Sequence, residues 1–138
     1  MIQQGILAIH LQVIGGLLIA LSLLHIVFPK YFNWKDELAG LSLINKQIMM
    51  IHTLFIAIAV LLIGVLCLHS PEELITTDLG RTISFGLGLF WLVRLLVQFF
   101  GYSSKLWKGK SFETAVHLVF SAFWSYLTII FFTVSLLT

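Results

Sequence analysis

Charge is the scarcest commodity in this sequence: Asp, Glu, Lys and Arg make up 10% of its 138 residues, whereas 59% are hydrophobic and the mean hydropathy is +1.05. A chain so poor in charge cannot dissolve as a globule, and lipid is its solvent. The single cysteine, Cys67, excludes an internal disulfide and a thiolate metal cluster, leaves the redox compartment unread, and suits a small packing residue in an apolar helix. Proline occurs only as Pro29 and Pro71, each at the edge of an apolar run. Met1 to Gln4 carries no Lys or Arg, so a secretory leader is not expected and the first apolar run stays as a span. Eight basic against six acidic residues give a net charge of +2, which lends nucleic-acid binding no support. Also missing are a Gly-rich phosphate loop, a His-Glu-x-x-His pair, a Cys-x-x-Cys pair and a Gly-x-Ser-x-Gly elbow.

What remains is long apolar runs. Spans are expected at about 5–28, 46–69, 80–101 and 112–137, each long enough at roughly 20–25 residues to cross a bilayer. They fill the chain, so the expected fold is all-α: one transmembrane domain, an antiparallel four-helix bundle. The first run stops at Pro29-Lys30, and residues 31–43, with Asn33, Trp34, Lys35, Asp36 and Glu37, read as a short interfacial segment. Ser42 is the expected N-cap of the second helix and Ser111 that of the fourth. Ser70-Pro71-Glu72-Glu73 has the signature of a new short helix, with proline at its first position.

Cytoplasmic loops retain positive charge. Lys30, Lys35, Lys46, Lys105, Lys108 and Lys110 all fall on one side, against Arg81 on the other. Both termini should therefore face outward, with the lysine-bearing loops cytoplasmic.

The polar residues of the spans gather toward that same side: His25, His52, Arg94 with Gln98, and Glu113 with His117. Helical spacing puts Glu113, His117, Ser121, Ser125 and Thr128 on one stripe, Leu87, Trp91, Arg94 and Gln98 on another, and Gly15, Leu18, Ser22 and His25 on a third. An ionisable group facing hydrocarbon costs several kcal/mol, so these stripes should face inward around a polar cavity. Asn45 belongs to the supporting polar set with Gln98 and Ser121. Singly, each His suits an interfacial or helix-to-helix hydrogen-bonding role. His10 and His69 read as interfacial, Met49 and Met50 as packing, and Trp34, Tyr102 and Trp107 as aromatic-belt anchors. Arg94 either snorkels or finds a partner such as Glu113.

Three chemistries stay open for the cluster. Imidazoles from facing helices can hold a haem b for redox work, as in a cytochrome-like electron carrier, with Arg94 near its propionates. His25, His52 and His117 could instead bind one Zn or Fe ion, with Glu113 as fourth ligand or as the general base of a metal-dependent membrane enzyme. A cofactor-free site would let Arg94 and the histidines bind an anionic headgroup or small acid, as a transporter or accessory subunit does. The partners expected are the bilayer and, beyond it, a homo-oligomer or a larger membrane complex.

The stretch from His25 to Trp34, Leu41 to Gln47 with His52, and Phe90 to Arg94 continuing through Gln98 to Phe100 resemble a family of small four-span bacterial inner-membrane proteins of uncharacterised function. The resemblance covers nearly the whole chain. It implies the architecture and a bacterial inner membrane, and it transfers no activity.

Overall fold

The computed structural model describes residues 1–137. In chain order these form α1 (Ile2–Tyr31), α2 (Trp34–Glu37), α3 (Leu43–His69), α4 (Pro71–Thr76), α5 (Asp78–Phe100), a 3-10 turn (Ser104–Leu106) and α6 (Ser111–Leu137), with no strand among the described residues. Four of them, α1, α3, α5 and α6, are long and apolar enough to cross a bilayer. The chain is an all-α integral membrane protein. A backbone placed in lipid has no water to bond, so the runs that the sequence leaves free of charge must pair their amides internally, as helices do.

The short signals behave as their chemistry requires. Ser42 caps α3 by accepting the Asn45 amide at 3.4 Å, and Pro71 opens α4 where its missing N–H costs nothing. α1 differs from expectation, since it runs through Pro29 to Tyr31. The proline forfeits a bond to the His25 carbonyl only in the last turns. The helix then closes with the Phe32 amide on the Phe28 carbonyl at 2.9 Å, and Asn33 takes a left-handed φ of 52° that asparagine tolerates. α6 begins at Ser111 itself, so that serine is its first helical residue rather than its cap.

The chain divides into two compact units, Met1–His10 with Glu72–Thr138, and Leu11–Pro71. Within the second, α1 and α3 meet glycine to glycine. A Cβ added to Gly64 would stand 2.9 Å from the Gly15 carbonyl oxygen, and one on Gly15 would stand 2.7 Å from that of Gly64. Such close approach replaces the hydrophobic drive that lipid removes. Cys67 and Val60 share the buried face with Gly64, which confirms Cys67 as a packing residue. On α1 the line Gly15, Leu18 and Ser22 is buried as expected, with His25 half-buried at its end.

In the first unit α5 and α6 form an antiparallel hairpin. Gly88 lies under the ring of Phe132, Trp91 stacks on Trp124 at 5.3 Å and 6° between planes, and Gln98 meets His117. Moving from Gly88 to Gln98 along α5 thus moves backward along α6. Gly80, Ser84, Gly88, Trp91 and Gln98 are the buried face of α5.

Candidate functional site

Arg94 stands six residues before the end of α5, and His117 six residues after the start of α6. At 1.5 Å per residue both lie about 9 Å inside their helix ends. Between them is the Gln98 side chain, 7% exposed. Its Oε1 accepts from Arg94 Nη1 at 3.3 Å and from Trp124 Nε1 at 3.3 Å, and its Nε2 lies 2.9 Å from His117 Nδ1.

This arrangement fixes the direction of every bond. Guanidinium and indole N–H groups can only donate, so the atom that both reach must be the amide oxygen. The amide nitrogen therefore points at His117 and donates to Nδ1. A neutral imidazole that accepts at Nδ1 carries its proton on Nε2. His117 is consequently a donor at Nε2.

Aromatic surfaces enclose the group. Trp107 stacks on the His117 ring at 3.8 Å and 10° between planes, and Phe99 meets it edge-on at 5.8 Å. The Arg94 guanidinium lies 4.8 Å from the Trp124 ring centre and 5.7 Å from that of Tyr102. Such faces steady a cation where water is scarce. Trp107 is held in place by its loop: Thr114 Oγ1 donates to the Trp107 carbonyl at 2.6 Å, the Lys110 amide bonds to the same oxygen at 3.0 Å, and Gly109 supplies the turn with φ of 78°. That loop also carries the exposed Lys105, Lys108 and Lys110.

Among the described residues Arg94 has no carboxylate partner, and the ion pair is Arg81 with Asp78, near the start of α5. Glu113, the expected partner, is exposed in the first turn of α6, where the helix has only just left the loop. The stripe on α6 otherwise turns inward, with Ser121 and Thr128 buried, Ser125 half-buried, and all three hydroxyls returned to their own helix. Those serines and threonines satisfy themselves and do not require a cavity. Elsewhere on α5, Trp91 Nε1 and Ser84 Oγ are buried with no hydrogen-bond partner.

The remaining candidates lie in the other unit. His25 donates from Nδ1 to the Leu21 carbonyl at 2.8 Å and packs on Phe28 at 4.9 Å. A carbonyl can only accept, so His25 keeps a lone pair on Nε2, opposite to His117. His52 is exposed, off the face that Val60, Gly64 and Cys67 bury, and Asn45 is exposed at the capped start of α3. His10, in the first unit, is half-buried, and its Nδ1 lies 2.6 Å from the Tyr126 hydroxyl. Among the described residues no group of three or more His, Cys, Asp or Glu side chains is disposed to hold a metal ion.

Sequence reasoning missed Trp124 and did not foresee that Tyr102 lies near the Arg94 guanidinium or that Trp107 stacks on His117. The signal for Trp124 lay in its spacing, seven residues beyond His117 on one face of α6. Nothing in the loop sequence announces that Trp107 folds back onto an imidazole. No protein-family profile, curated protein or solved structure matches the chain.

Proposed function

We propose that this protein binds an oxyanion, the phosphate of an acidic headgroup or a free phosphate, at Arg94 and His117 near the cytoplasmic face of a bacterial inner membrane. The observation that carries this reading is the Gln98 amide. It leaves the site with an unneutralised guanidinium and an imidazole N–H, both donors. Donors recognise acceptors, and a guanidinium matches the geometry of phosphate. The three lysines of the neighbouring loop add the positive field that draws acidic lipids to a cytoplasmic surface. Binding of phosphatidic acid to the protein in phosphatidylcholine nanodiscs, set beside binding of inorganic phosphate in detergent, tests the reading and separates its two sources. Saturable binding of either supports it, and binding of neither at low salt defeats it.

A haem or a Zn or Fe ion is the second reading, and His25 favours it, because the lone pair on its Nε2 is what a metal needs. His117 does not share that property while Gln98 donates to it. A Soret band, or stoichiometric metal lost on replacing His25, would establish the second reading over the first.

The proposed orientation is N-out and C-out. Single cysteines introduced at Lys35 and Lys108 are expected to react with membrane-impermeant maleimide only after the cytoplasmic side is opened, while buried Cys67 stays silent. Labelling of both positions in intact spheroplasts would reverse the orientation.

A further inference from the structure

Gln98 is buried and yet makes three hydrogen bonds to groups of three different kinds. Its two amide ends are chemically distinct, one accepting and one donating, and Trp124 and Arg94 together decide which end faces which way. Trp124 is 3% exposed and stacks with both Trp91 and Phe120, so its indole N–H is anchored. From this geometry we infer that Gln98 is the positioning residue that sets the polarity of the site: it holds His117 in the Nε2–H form and thereby selects an oxyanion over a metal ion. The inference rests on the oxyanion reading and adds to it what determines the ligand class.

The chemistry follows from a single atom. A carboxylate in place of the amide can only accept, so Gln98→Glu would still take the bonds from Arg94 and Trp124 but would require a proton on His117 Nδ1. Glu is nearly isosteric with Gln, and the packing around the side chain is retained. Two things then change together. The proton on the imidazole moves to the nitrogen facing residue 98, and Arg94 acquires the carboxylate partner it lacks. Selection for an anion is weakened at both donors. Other charged groups on the elements packed against His117 are Lys105, Lys108 and Lys110 in the loop and Glu113 one turn earlier on α6. All of these are exposed and unchanged by the substitution.

Nitrogen-15 NMR of histidine-labelled protein in nanodiscs reads the proton directly, because a bare imidazole nitrogen resonates far downfield of one that carries hydrogen. His117 is assigned by its disappearance in His117→Asn. At about pH 8, above the range in which imidazole ordinarily changes charge, the wild type is expected to show a bare Nδ1 and a protonated Nε2. In Gln98→Glu, Nδ1 is expected to carry the proton, and affinity for phosphatidic acid or inorganic phosphate to fall about tenfold or more, as expected when a guanidinium gains a buried counter-ion. A protonated Nδ1 in the wild type would overturn the inference without any variant. So would a Gln98→Glu protein that keeps a bare Nδ1 or binds phosphate undiminished. If the wild type shows the expected proton position and binds neither phosphate source, the oxyanion reading itself fails and the selectivity assigned to Gln98 falls with it.

Discussion

Arg94→Gln is expected to lower the affinity of the protein for phosphatidic acid by about tenfold to a hundredfold, the loss that follows when charge-assisted hydrogen bonds of about 1.5–3 kcal/mol are removed. The guanidinium is half-buried on α5, six residues before its end, and among the described residues no carboxylate neutralises it. Glutamine keeps a polar side chain there and removes only the charge and the planar fork. Arg94→Lys should fall between, because an ammonium retains the charge but neither presents two parallel donors nor stacks on Trp124 and Tyr102 in the same way. Lipid titration in nanodiscs provides the measurement. Equal affinity in wild type and Arg94→Gln would remove Arg94 from the site.

The second large effect concerns stability. Gly64→Ala is expected to destabilise the α1–α3 pair by about 1–3 kcal/mol, and Gly64→Leu by more, because the new Cβ would meet the Gly15 carbonyl oxygen at 2.9 Å and backbone cannot rotate away. Ile19 Cγ1, at 3.0 Å, could yield, but the carbonyl could not. Cys67 reports the change locally. It is fully buried on the same face of α3, so a seam forced open should make it reactive toward a small lipid-soluble maleimide. Unfolding in mixed micelles measures the energy and the thiol reaction locates it. A Gly64→Leu protein as stable as wild type, with Cys67 unreactive, would contradict the close approach.

Much of this fold is legible in the amino-acid sequence, because lipid imposes simple rules. Apolar length marks the four spanning helices, the Ser42 cap and the Pro71 start follow local hydrogen-bonding chemistry, and the 3.6-residue period places Trp91 and Gln98 on one face of α5 with half-buried Arg94 on the same stripe. Period alone does not fix how a helix is rotated against its neighbours. His52 therefore reads as an inward residue although it is exposed, and Glu113 reads as a partner for Arg94 although it sits at the loop edge. The path of the loop is equally illegible: Trp107 reaches His117 through a turn set by Gly109 and the Thr114 hydroxyl, contacts that leave no periodic trace. Nor does the sequence show that two donors converge on one oxygen of Gln98, and that convergence is what orients His117 and separates an anion site from a metal site.

Native mass spectrometry of the protein released from its own membrane, grown with ample iron and haem precursor, tests the central claim most directly. A site made of donors is predicted to retain a phospholipid or phosphate on the wild-type chain and to lose it on Arg94→Gln, with no added mass of haem or metal. A chain that carries haem or a stoichiometric metal ion, and keeps it when Arg94 is replaced, would contradict the account.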